Sequence, residues 1–185
     1  MTENLRVART SLDGVLVLEP RVFGDARGAF FESFNEAAFA EATGVTARFV
    51  QDNHSVSVRN VLRGLHYQVG HAQGKLVRVV AGEVFDVAVD LRRSSQTFGR
   101  WTAIRLSAEN RLMQWVPVGF AHGFVVTSDR AEVLYKTTDY YSPQDERSIA
   151  WNDPDLGIAW PIAGEPLLST RDAAAARLRD AELFP

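Results

Sequence analysis

The stretch that decides the fold runs Val61-Leu-Arg-Gly-Leu-His-Tyr-Gln68, crosses a short polar turn, and resumes as Gln73-Gly-Lys-Leu-Val-Arg-Val-Val80. Both halves read as strands. Side chains alternate across a strand, so Leu62, Gly64, His66 and Gln68 are expected on one face. The same count puts Lys75, Val77 and Val79 together on the second strand. Each strand then carries one titratable side chain in line with small or apolar neighbours. A histidine and a lysine aimed into one concavity point to proton chemistry.

Outward from this pair, strands are expected at 46–52, 55–60, 83–91, 101–107, 112–117, 121–127, 131–141 and 147–151. Ala81-Gly82 reads as a hairpin turn, and Glu109-Asn110 divides two later strands in the same manner. Toward the N-terminus, 12–19 reads as a strand, Arg21 to Gly28 as a turn, and 29–34 as an aromatic strand. Asn35 to Gly44 is the one clear helix before the sheet resumes, with Asn35 suited to cap its start and Gly44 its end. Toward the C-terminus, 151–166 is loop-rich, and Asp172 to Phe184 reads as a helix with Ser169 and Asp172 at capping-box spacing. Many short strands with turn signals between them predict an all-β sandwich or barrel of the jelly-roll type. The expected organisation is a single jelly-roll domain over residues 1–185, with an N-terminal strand extension and a C-terminal helix.

A chain of 185 residues is long enough for one domain with a sizeable core. The formal net charge of −3 argues against a grip on nucleic-acid phosphates. With no cysteine, disulfides, thiolate nucleophiles and cysteine-held metals are ruled out. The first residues show no basic region followed by an apolar run, and no stretch reaches membrane-spanning length. The expectation is a cytoplasmic protein with no membrane partner.

Several side chains can carry chemistry. His66 reads as a general base or as a structural histidine bonded to a carbonyl. Lys75 reads as a buried cation or as a strand-end lysine reaching solvent. Asp172 could orient an imidazole if the tail folds back, or simply cap a helix. Tyr135 could donate a proton or serve as packing. Pro117-Val-Gly-Phe-Ala-His122 contains Pro-x-Gly-x-x-His, the second half of the cupin signature, whose histidine can bind metal. The first half offers His66-Tyr67-Gln68, with glutamine where a second histidine is needed, so no metal site is expected. Arg27, Arg63 and Arg171 present guanidinium forks suited to phosphate.

Taken together, Arg63-Gly-Leu-His-Tyr-Gln68, Ala72-Gln-Gly-Lys-Leu-Val-Arg78, Pro117-Val-Gly-Phe-Ala-His-Gly-Phe124, Tyr135-Lys136 and Leu168-Ser-Thr-Arg-Asp172 resemble the dTDP-4-dehydrorhamnose 3,5-epimerase family. The likeness runs in order from about Phe23 to Asp172. It implies a cupin-type jelly roll, a homodimer with shared strands, a dTDP-linked keto-sugar substrate and no cofactor. Position by position, it makes His66 the base, Asp172 its partner, Lys75 the contact to the sugar C4 oxygen and Tyr135 the acid. Phe23 and Tyr141 match aromatics that pack on thymine. Arg27, Glu32, Gln51 and Asn53 match nucleotide contacts, Arg63 and Arg171 the diphosphate positions, and His122 a histidine close to the site. Three readings compete with double epimerisation: a single-centre epimerase or ketoisomerase, a non-catalytic sugar-binding cupin, and a metal-dependent cupin enzyme.

Overall fold

Runs of alternating apolar residues fold here into two facing antiparallel sheets. The structure, a computed structural model, describes residues 4–185. The first strands are β1 (Leu5–Arg9), β2 (Leu16–Pro20), β3 (Val22–Asp25) and β4 (Gly28–Phe31), followed by helix α1 (Glu36–Thr43). Then come β5 (Gln51–Val58), β6 (Leu62–Gln68), β7 (Lys75–Ala81), β8 (Glu83–Asp90), β9 (Trp101–Ser107), β10 (Met113–Val116), β11 (Phe120–Val126), β12 (Arg130–Thr137) and β13 (Glu146–Ser148). A short helix α2 (Thr170–Ala173) and a single 3₁₀ turn at Leu178–Asp180 follow. One sheet is ordered β1-β2-β10-β7-β12-β5 and the other β13-β6-β11-β8-β9, while β3 and β4 form a separate hairpin. The all-β sandwich expected from the strand pattern is what forms.

Three apolar layers hold it together. Between the sheets, Val77, Val79 and Val133 of the first meet Val84, Leu106 and Phe124 of the second. The outer face of the five-stranded sheet buries Leu62, Leu65, Tyr67 and Val125 under Ile149, Leu156, Trp160 and Leu178 from the tail. The outer face of the six-stranded sheet buries Leu76, Met113 and Trp115 under Phe39 of α1. That helix is capped as its sequence suggests: Ala38 N–H donates to Asn35 Oδ1, and Gly44 ends it in the left-handed region.

The structure corrects several expectations. Ala81-Gly82 is not a hairpin: β7 and β8 lie in different sheets, so the chain turns a corner of the sandwich there. Glu109-Asn110 likewise joins β9 to β10 across the two sheets. The segment taken as an Arg21–Gly28 turn is itself half strand, pairing Val22–Asp25 with Gly28–Phe31 in an exposed hairpin. The C-terminal helix is another. After Ala173 the backbone bonds to its surroundings instead, with Ala150 N–H donating to Ala176 O, Leu178 N–H to Asp153 Oδ2 and Tyr67 Oη–H to Glu182 O. An alanine run favours helix, but a short isolated helix is marginal, and tertiary partners for Leu178 and Phe184 prevail. Within 45–60, residues 46–50 carry no strand and β5 starts at Gln51, while β1 was not anticipated.

A bulge in β6 changes which side chains face inward. His122 pairs with His66 and Phe124 with Arg63, so Gly64 and Leu65 together oppose the single residue Gly123. Leu62 and Leu65 therefore both turn to the outer core, and Arg63 joins His66 and Gln68 on the inner wall. The expected face of Leu62, Gly64, His66 and Gln68 is thus replaced by Arg63, His66 and Gln68. Gly64 makes this possible, with φ +126 and a would-be Cβ only 2.5 Å from Gly123 Cα and 2.8 Å from His122 O. Gly64→Ala is expected to cost about 3 kcal/mol from overpacking and backbone strain. A melting temperature lowered by roughly 10 °C in thermal unfolding would register it; an unchanged one would show that the bulge does not need glycine.

Candidate active site

The bulged strand and its facing neighbours leave a cavity of about 390 Å³ between the sheets. Its walls come from both. β6 supplies Arg63 and His66, β11 supplies His122, β7 supplies Lys75, β12 supplies Tyr135, and β5 supplies Gln51 and Asn53. Tyr141 lies at the mouth, 47% exposed. His66 and Tyr135 thus approach one space from opposite sheets.

The tail returns to complete the histidine. Ser169 caps helix α2, its Oγ accepting from Asp172 N–H, and this cap sets Asp172 in the first turn facing β6. His66 Nε2 and Asp172 Oδ1 are 2.5 Å apart. The carboxylate is 3% exposed, and burial alone would raise its pKa. Hydrogen bonding to the His66 ring outweighs that, with help from the ring's charge, Ser169 and the amide of Gly64, so Asp172 stays below the ordinary aspartate value. The contact fixes the orientation of the ring, and Nδ1 is the ring nitrogen that does not face the carboxylate.

Lys75 is 6% exposed and, among the described residues, its ammonium has no hydrogen bond or ion pair. Burial pulls its pKa down to about 8, opposed only by the negative charge of Glu146. A buried, unpaired cation is held ready for a developing anion. Burial also raises the Tyr135 phenol, keeping it protonated and able to donate.

His122 has a different partner. Its Nε2 lies 2.9 Å from Asp86 Oδ2, both side chains being buried. Among the described residues, no three or more histidine, aspartate or glutamate side chains gather as metal ligands would.

Glu146 and Asp86 were not anticipated. Glu146 Oε2 accepts from Tyr141 Oη–H at 2.5 Å and from Arg171, tying the cavity mouth to α2. Its sequence context, Gln144-Asp145-Glu146-Arg147, looks like an ordinary charged turn and gives no warning. Asp86 did leave a signal, since alternation puts it on the same face as the apolar Val84 and Ala88.

Phe23, Arg27 and Glu32 do not reach the cavity of this chain. Phe23 lies on the β3–β4 hairpin beneath Arg21, Arg27 is paired with Asp25 at its tip, and Glu32 accepts from Asn35 Nδ2. The structure places the other expected residues at the cavity or bonded to its lining, Asp172 through His66 and Arg171 through Glu146.

With this geometry in hand, comparison with known proteins is informative. A family model described as dTDP-4-dehydrorhamnose 3,5-epimerase matches residues 9–180. A relative of that name from Pseudomonas aeruginosa is 60% identical over 181 residues, covering 98% of this chain and 100% of its own. Another from Salmonella typhimurium is 59% identical, covering 96% and 97%. Among solved structures, a dTDP-6-deoxy-D-glucose-3,5-epimerase from Legionella pneumophila, in complex with dTDP-4-keto-L-rhamnose, superposes with a TM-score of 0.94 at 51% identity. That match covers 96% of this chain and 95% of the other.

Proposed function

The chain belongs to the dTDP-4-dehydrorhamnose 3,5-epimerase family, and from that premise we propose that it inverts C3 and C5 of dTDP-4-dehydro-6-deoxy-D-glucose. The product is dTDP-4-dehydro-L-rhamnose, an intermediate of dTDP-L-rhamnose biosynthesis. The observation that carries the reading is the placement of His66 and Tyr135 on opposite walls of one cavity, with the Lys75 cation beside it.

A hydrogen alpha to a ketone is acidic because the carbanion left behind delocalises onto oxygen. The 4-ketone activates C3 and C5 alike, so one base and one acid serve both centres. His66 removes the proton while Asp172 stabilises the resulting imidazolium. Lys75 meets the enolate oxygen, a contact of a kind worth about 3 kcal/mol. Tyr135 returns a proton from the opposite face, which inverts the carbon. The phenolate is then reprotonated and the histidine discharged before the second centre reacts. Each step is a proton transfer in which no electrons are gained or lost by the sugar overall.

Nucleotide recognition falls to the rest of the set. Arg63 and Arg171 take the diphosphate, Gln51, Asn53 and Tyr141 the nucleoside, and His122 lines the sugar end. Phe23, Arg27 and Glu32 complete the nucleotide site in a homodimer, the exposed hairpin of one protomer reaching the cavity of its partner. The exposure of β3 and of β4 up to Phe30 supports that arrangement. A single jelly-roll domain acting on cytoplasmic nucleotide sugar is part of the same proposal; among the described residues, no helix is long and apolar enough to cross a membrane.

Incubation with the keto sugar in heavy water tests the reaction. Deuterium is expected at both C3 and C5 of the product. Label at one centre alone would replace double epimerisation with a single-centre reaction, and label at neither would overturn the proposal.

A further inference from the structure

Resting on the epimerase reading above, we propose that Ser55 is a specificity-determining contact for the diphosphate of the nucleotide sugar, its hydroxyl donating to a phosphate oxygen beside Arg63. The inward residues of β5 follow the period of two as Gln51, Asn53, Ser55 and Ser57. Three of them are engaged with the protein itself. Gln51 Nε2 donates to Asn53 Oδ1 at 2.9 Å, Gln51 Oε1 accepts from Tyr141 N–H at 3.0 Å, and Ser57 Oγ accepts from Arg63 Nε at 3.0 Å. Ser55 Oγ is buried and, among the described residues, has no hydrogen-bond partner. It lines the cavity. A buried hydroxyl left unpaired is costly, so the site is completed by an acceptor that enters the cavity.

Position narrows down which acceptor. Ser55 pairs in register with Val133, two residues along the ladder from the Asn53–Tyr135 pair and, on its other side, two from Ser57, so that all three share one face. It therefore sits between the proposed acid and the serine that steadies Arg63. With its Nε tied to Ser57, Arg63 keeps its terminal nitrogens for an anion. The ligand atoms bridging these two points are those joining the sugar to the diphosphate. An anionic phosphate oxygen is a stronger acceptor than a sugar hydroxyl, and an O–H···O⁻ bond is short and strong. Serine supplies that bond without adding a charge.

The test is calorimetric titration of dTDP and of thymidine into wild type, Ser55→Ala and Ser55→Thr. Ser55→Ala is expected to bind dTDP about tenfold more weakly, the loss of one charge-assisted hydrogen bond, with thymidine affinity unchanged. Ser55→Thr, which keeps the hydroxyl, should recover most of the difference. With the keto sugar, the loss in kcat/KM should fall mainly on KM. Unchanged dTDP affinity in Ser55→Ala would overturn the proposal, whether the hydroxyl serves a water or the sugar. So would an equal loss for thymidine, which signals general distortion of the wall; circular dichroism and melting temperature check the fold directly. A wild type that binds dTDP with this serine dependence yet incorporates no deuterium would sink the reaction and leave the contact standing.

Discussion

His66→Ala is expected to lower kcat by at least about 10²–10⁴-fold, the contribution of a positioned general base, while dTDP binding stays within a few-fold of wild type. Loss of the imidazole removes the proposed proton acceptor, and the other candidate bases on its wall are engaged elsewhere: His122, its register neighbour, is turned to Asp86 at 2.9 Å, and Glu146 accepts from Tyr141 and Arg171. The fold should survive. Asp172 would lose its bond to the ring but keep those from Ser169 and the Gly64 amide, so its buried carboxylate is not left bare. His66→Gln offers a control that restores a donor to Asp172 without restoring a base, and it should be as inactive as the alanine variant. Stopped assays in heavy water give the clearest readout, because exchange at C3 and C5 should disappear together. Exchange persisting at one carbon would mean that a second base serves that centre, and the one-base account would fail.

The parts of this molecule that were legible in its sequence are those with local causes. Helix α1 announced both ends, because Asn35 and Gly44 act within one turn of their own positions. Strands β7 and β9 came out at their true bounds, since local punctuation marks their ends: Gly74 and Gly82 flank β7, and Gly99 stands just before β9. Where the deciding partner is distant, the reading went astray. Gly82 looks the same in a hairpin as in a corner, and only the pairing of β7 with β10 and β12 separates the two. The alanines at 173–176 favour a helix until Ile149, paired with Ala176 from elsewhere in the chain, claims the backbone.

The site shows the same division. His66, Lys75 and Tyr135 stood out because each interrupts an apolar strand face, and a polar group among buried neighbours is detectable from alternation. Even so, alternation assigned Arg63 to the wrong side, because the bulge at Gly64 depends on contact with Gly123 across β11. Asp172 could be proposed as the partner of His66 from resemblance, whereas its 2.5 Å approach depends on a tail that packs rather than coils. Glu146 gave no sign at all, as its role arises only where β13, the Tyr141 loop and α2 converge.

Lys75→Gln should lower kcat by about 10²–10³-fold, the penalty for removing one preorganised oxyanion contact, with KM little changed. Glutamine keeps a donor of nearly the same length, so what is lost is the charge. Its pH behaviour distinguishes this role from simple packing. With the lysine at about 8 when folded, the wild-type rate should fall as pH rises above 8, because the neutral amine cannot stabilise an enolate. The variant has no group titrating there and should lack that alkaline limb. Stability gives an independent check with the opposite sense. The unfolded lysine holds its proton up to its ordinary value of 10.5 and the folded one only up to about 8. Between those values the unfolded chain binds more protons, so wild-type stability from this group should rise with pH. In Lys75→Gln that rise is absent, and below pH 8 the variant should melt no lower than wild type, since a charge stranded in a dry wall has been removed. A variant that loses affinity while keeping kcat, or that retains the alkaline limb, would place the cation away from the reacting oxygen and reduce Lys75 to a binding residue.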